Sequence, residues 1–128
     1  MKHRARKAAY QKQWRTANPE IVKGHWLRKY WPNSTWEEAL ANFNNLIKLQ
    51  NNACALCRKP EIAICGKTGL VRDLSVDHCH TTKVVRGLLC STCNRGIGYL
   101  KDDWKLCSAA ADYLMPHALP SPADRKPH

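Results

Sequence analysis

The stretch that decides the fold runs from Asp77-His78-Cys79-His80 to Arg86-Gly87-Leu88-Leu89-Cys90-Ser91-Thr92-Cys93-Asn94. It closes on a Cys-x-x-Cys pair, Cys90 and Cys93, and a matching pair, Cys54 and Cys57, stands upstream. Two residues between cysteines let both thiolates of a knuckle reach one ion, and two knuckles complete a tetrahedron around zinc. Four thiolates leave no open position for water, so the expected Zn²⁺ is structural. A thioredoxin-like redox pair would need a single Cys-x-x-Cys in a βαβ setting, which this pattern does not offer.

Working outward, 128 residues predict one domain with a tail, and a core this small benefits from a structural metal. The formal charge is +11 and the pI about 9.6, which points to a polyanionic partner. From Lys2 to Lys29 basic residues recur and Glu20 is the only acid. Arg4, Arg6, Lys7, Lys12, Arg15, Arg28 and Lys29 are therefore candidates for nucleic-acid phosphates, against the plainer reading of a solvated basic helix. No apolar run is long enough to span a bilayer, and the basic N-terminus lacks the apolar stretch of a signal peptide. The expectation is a soluble, intracellular protein without membrane contact. Seven cysteines in a reducing compartment argue for metal ligation over disulfides, and the odd count leaves at least one thiol over.

Residues 4–16 have helical composition, and Asn18-Pro19-Glu20 reads as a helix start with Asn18 as N-cap. Val22, Trp26 and Tyr30 then recur at helical spacing beside Leu27, although Gly24 weakens the helix. That stripe suits packing on the domain or on a second copy better than stacking on nucleic acid. Ser34-Thr35-Trp36-Glu37 fits a capping box for a helix over 35–50, with Trp36, Leu40, Phe43 and Ile47 on its inner face. Residues 58–73, with Pro60, Gly66 and Gly69, read as a loop or irregular hairpin. Strands are expected at 74–80 and 84–89 around a turn at 81–83, then a short helix over 94–100. Asp102 or Asp103 caps a last helix carrying Trp104, Cys107, Ala111 and Leu114 on one face, which Pro116 ends. The proline-rich tail, 118–128, is expected to be disordered.

Asp77 and Asn94 offer oxygen ligands, which suit a hard cation such as Mg²⁺ or Mn²⁺. With such an ion at a phosphodiester, His78 is the candidate general base, and His80 a phosphate donor or further ligand. Arg86 suits a phosphate contact or a structural ion pair equally. Cys107 reads as a buried small hydrophobe and Cys65 as a free thiol, and strand alternation turns Cys79 away from both histidines.

These residues resemble the HNH, or ββα-metal, endonucleases, and most closely the phage recombination endonuclease VII group. The motifs carrying the resemblance are Cys54-Ala55-Leu56-Cys57, Val76-Asp77-His78-Cys79-His80, Val85-Arg86-Gly87-Leu88-Leu89-Cys90 and Cys93-Asn94. It covers roughly residues 33–117, leaving 1–32 as a basic helical extension. It implies a small α+β fold with a zinc-stapled, treble-clef-like ββα-metal core and flanking helices. It further implies catalytic-metal ligation by Asp77 and Asn94, His78 as general base, His80 at the phosphate, and products with 5′-phosphate and 3′-hydroxyl ends. Cys79 stands where the group often has a second Asp, Lys83 replaces a common turn Gly, and the middle Asn of the wider HNH signature has no counterpart to orient His78.

The sequence thus predicts a metal-dependent endonuclease, phage- or mobile-element-encoded, acting on double-stranded or branched DNA, with dimerisation through the N-terminal helices. The competing reading is a zinc-stapled DNA-binding module without catalysis. A redox sensor built on Cys65 or Cys79 is the weakest, because no neighbouring group in the sequence activates either thiol.

Overall fold

The computed structural model describes residues 2–118. Among them are five helices and one two-stranded antiparallel sheet, a small α+β arrangement. The helices are α1 (Lys2–Ala17), α2 (Pro19–Leu27), α3 (Trp36–Leu49), α4 (Ser91–Tyr99) and α5 (Trp104–Leu114). The strands are β1 (Ser75–His78) and β2 (Val85–Leu89), and a 3₁₀ turn at Met115–His117 follows α5. Two compact units form, Met1–Ser91 and Thr92–His128, so the division falls in the first turn of α4.

In the first unit α1 is exposed along its whole length and buries no residue. Asn18 does not cap α2 with its side chain. Its amide instead donates to the carbonyl of Trp14 at 2.7 Å, closing the end of α1, while Pro19 supplies the fixed φ that starts α2. The helix packs along α3, but not through the expected stripe. Leu27 is fully buried, whereas Trp26 is 55% exposed. Gly24 explains the seam. A Cβ there would stand 2.5 Å from the Trp36 carbonyl oxygen, so the bare glycine lets the two helices approach.

The N-cap of α3 lies one residue beyond the Ser34 expected from the Ser34–Glu37 capping box. Thr35 Oγ1 accepts the Glu38 N–H at 3.2 Å, and Ser34 Oγ donates to the Trp31 carbonyl instead. Thr35 holds the extended backbone of an N-cap, while Ser34 is tied into the preceding turn. Ala39 and Phe43 face the core with Leu74, Val76, Leu88 and Leu89. Residues 58–73 make an irregular hairpin, bridged at Ile64 and Val71.

α4 begins at Ser91, three residues before the expected 94, which puts Cys93 in its first turn. Asp103 caps α5 by accepting the Lys105 N–H at 2.9 Å. Neither α4 nor α5 has a fully buried residue, and Trp104 and Leu114 are exposed. The tail expected to be disordered, 118–128, lies outside the described residues except for Ala118.

Candidate functional site

The β1–β2 hairpin sets the geometry of the site. Ser75, Val76 and Asp77 pair with Leu89, Leu88 and Gly87, but His78 pairs with Val85. Arg86 is the extra residue of a bulge, the device by which a strand re-aims a side chain. It reaches Asp77 as a fork. Arg86 Nε donates to Asp77 Oδ2 at 2.7 Å, and Nη2 donates to Oδ1 at 2.9 Å. The ion pair considered for Arg86 is present, with Asp77 as its partner. Asp77 is the buried member, with 11% of its side chain in solvent against 38% for Arg86.

His78 ends β1 beside Asp77. Its ring lies 5.0 Å from that of His80 and 5.4 Å from that of Tyr30. Tyr30, just past α2, is in turn edge-on to Trp26 and Trp31. An aromatic chain from α2 therefore walls the histidine pair. In the turn after β1, the Cys79 sulfur receives the Thr82 N–H at 3.5 Å. Hydrogen bonds from Thr82 and Thr81, with the Arg86 charge nearby, outweigh burial and lower that thiol. Asn94 stands on α4 directly after Cys93.

The four knuckle cysteines gather. Their sulfur atoms all lie within 4.8 Å of one another, and those of Cys57 and Cys90 are 3.9 Å apart. The edge of a tetrahedron with Zn–S bonds of about 2.3 Å is about 3.8 Å, so the cluster could hold a structural zinc ion. Cys54 and Cys90 are buried. Burial pushes the Cys54 thiol up, but backbone N–H groups of Cys57, Cys90 and Leu56 outweigh it and bring it to about 6. That environment favours thiolate, the form zinc binds. Cys65, in the exposed hairpin, is lowered to about 7 by Thr68 and the Lys67 N–H.

Two side chains that sequence reasoning missed hold this frame. Gln50, at the end of α3, acts as a short extra strand. Its Oε1 accepts the Leu88 N–H at 2.9 Å, and its Nε2 donates to the Leu88 carbonyl at 2.9 Å and the Ala53 carbonyl at 2.8 Å. A Cβ at Gly87 would sit 3.2 Å from that Oε1, so the glycine admits the amide. Glu61 anchors the start of α4: its carboxylate accepts the Ser91 N–H at 2.6 Å and the Ser91 hydroxyl at 3.2 Å. Burial raises the Glu61 carboxyl, but N–H groups of Ala63, Ser91 and Ile62 and the Ser91 hydroxyl together hold it below its ordinary range. Neither contact has a local sequence signal, because the partners lie 38 and 30 residues away.

Of the basic candidates, Arg4, Arg6, Lys7, Lys12 and Arg15 project from α1 into solvent. Arg28 spends its Nε on the Ser34 carbonyl at 2.9 Å. Lys29 lies over the rings of Trp26 and Tyr30. No helix among the described residues is long and apolar enough to cross a membrane.

The sequence matches the recombination endonuclease VII family over residues 28–116, which takes in both knuckles and the hairpin. The chain belongs to that family. Family membership covers Arg28 and Tyr30 but stops short of α1. Among curated proteins, it is 37% identical over 70 residues to the Gene 59 protein of Mycobacterium phage D29, covering 54% of this chain and 38% of that one. It is 34% identical over 71 residues to the Gene 59 protein of Mycobacterium phage L5, covering 55% and 39%. The matched stretch is thus well under half the length of these relatives. No solved structure matches the chain.

Proposed function

We propose that this protein is a phage DNA endonuclease that hydrolyses phosphodiester bonds with a divalent cation, leaving 5′-phosphate and 3′-hydroxyl ends. The observation that carries it is the bulged hairpin end, where Asp77 and Arg86 meet beside the His78–His80 pair in a member of the endonuclease VII family. In this reading β1, β2 and α4 are a ββα-metal core of the HNH type, residues 33–117 are the nuclease domain, and 1–32 grip DNA.

The donor chemistry suits a hard cation. The Asp77 carboxylate keeps lone pairs beyond its two bonds to Arg86, and Asn94 matches the family motif as the second oxygen ligand. Mg²⁺ or Mn²⁺ bound there would supply charge stabilisation at the phosphate and at the leaving 3′ oxygen. His78, as a neutral imidazole, takes a proton from the attacking water on a ring nitrogen. The Tyr30 and His80 rings limit its rotation, a role the missing Asn of the wider HNH signature would otherwise fill. His80 donates to a phosphate oxygen. The cysteine clamp, with Zn²⁺, fixes the frame and takes no part in the chemistry.

The substrate is double-stranded or branched DNA, reached from the host cytoplasm. The charge of +11 and the exposed basic face of α1 support phosphate contacts from Arg4, Arg6, Lys7, Lys12 and Arg15, and dimerisation uses the N-terminal helices. Incubation with supercoiled plasmid, with and without Mg²⁺ and beside His78→Ala, tests this. Metal-dependent nicking or linearisation that the variant loses is the expected result. Binding without cleavage across several divalent metals would overturn it and leave a zinc-stapled DNA-binding module.

A further inference from the structure

The Asp77–Arg86 fork poses a problem for a metal-dependent nuclease. The carboxylate expected to take a cation already has a guanidinium across both oxygens, at 2.7 and 2.9 Å. A divalent cation and a guanidinium on one small, buried carboxylate repel each other. Charge-assisted forks of this kind are strong and geometrically specific. The fork is also one-sided in its exposure: Asp77 is the inner partner and Arg86 the outer one, with side-chain exposures of 11% and 38%. A phosphate approaching the hairpin end meets the guanidinium before the carboxylate. Guanidinium binds phosphate with the same two-pronged geometry it uses on carboxylate. The bulge supplies the means, since Arg86 owes its reach to Asp77 to being the extra residue of β2, inserted between the pairs at Gly87 and Val85.

Taking the nuclease reading as its basis, we propose that Arg86 is a positioning residue that guards Asp77 and is handed over to the scissile phosphate. Without DNA it holds the carboxylate and disfavours cation binding. With DNA the guanidinium turns to the phosphate and frees Asp77. Cation binding and DNA binding are then linked, and by reciprocity each strengthens the other. The arrangement limits cutting to engaged DNA, because the cation site is weak until a phosphate is in place.

The test is Mn²⁺ binding to the full, zinc-loaded chain without DNA, read by the loss of the free-ion electron paramagnetic resonance signal. Wild type, Asp77→Ala, Arg86→Met and Arg86→Lys are compared. The guard predicts Asp77-dependent Mn²⁺ binding that is at least several-fold tighter in Arg86→Met than in wild type. Arg86→Lys, which keeps the charge without the fork, should fall between them, and it carries the test if the Met variant does not fold. In a His78→Ala background, a short duplex should tighten Mn²⁺ binding when Arg86 is present and do so less in Arg86→Met. Asp77-dependent binding that is unchanged or weaker in the Arg86 variants would overturn the guard and leave the nuclease reading standing. Binding indifferent to Asp77→Ala would overturn both.

Discussion

Gln50 shows how much of the hairpin depends on one amide. Leu88 is fully buried, and its N–H has Gln50 Oε1 as its hydrogen-bond acceptor. A buried donor stripped of its partner costs about 1–3 kcal/mol, more than the average gain from making the bond. Gln50→Ala should therefore lower the unfolding free energy by about 1–3 kcal/mol in urea titrations. A loss under about 0.5 kcal/mol would mean water replaces the amide. Lys83 makes the opposite case. It sits at φ 65° in the turn, where its N–H closes on the Cys79 carbonyl at 2.8 Å. An L-residue pays about 1–2 kcal/mol for that left-handed backbone, and glycine's extra chain entropy offsets about 0.5–1 of it. Lys83→Gly should thus raise the melting temperature slightly, by the equivalent of about 0.5–1 kcal/mol. The sequence shows a lysine in a turn, but not the φ that makes the exchange matter.

Among the helices and strands, those with strong local signals were readable and the contacts between them were not. The α3 helix follows from its apolar spacing and a hydroxyl cap, with the cap shifted by one residue because Ser34 serves the preceding turn. Gly24 misled, since helix propensity counts it as a weakness while the α2–α3 seam requires it. Gly24→Ala should destabilise by about 1–3 kcal/mol despite alanine's higher propensity, because a backbone carbonyl blocks the added methyl. An increase in thermal stability would show that α2 is loosely docked. The early start of α4 has its cause in Glu61, an acid 30 residues away that holds the Ser91 N–H. With its carboxyl held below the ordinary value of 4.5, Glu61 stabilises the fold above that pH, and the contribution fades as pH falls through the lowered value. The stability gap between wild type and Glu61→Gln should accordingly shrink as pH drops from about 6.5 to about 4. Comparing two proteins at each pH cancels the protonation of the cysteine cluster, which both share.

Across the whole chain, the four-cysteine cluster that could hold zinc was the most legible feature, because ligand chemistry and spacing constrain it without any need for tertiary detail. The partner of the Arg86 ion pair was not legible, since the Asp77–Arg86 fork depends on a bulge that no residue pattern announces. The cluster brings together two Cys-x-x-Cys pairs that are far apart in the sequence. Apparent binding free energies of structural zinc reach about 10–16 kcal/mol, comparable to or larger than the entire stability of a small domain. A zinc chelator should abolish the cooperative thermal transition, and added Zn²⁺ should restore it. The basic helix α1 stands apart from that core, exposed and outside the family match, so its charge can be altered without touching the fold. If it grips phosphates, each neutralised contact releases about 0.9 counterion on duplex DNA. Lys12→Gln with Arg15→Gln should therefore flatten the slope of log binding constant against log salt by up to about 1.8, with the zinc content and melting temperature unchanged. A slope equal to wild type would remove Lys12 and Arg15 from the DNA contact.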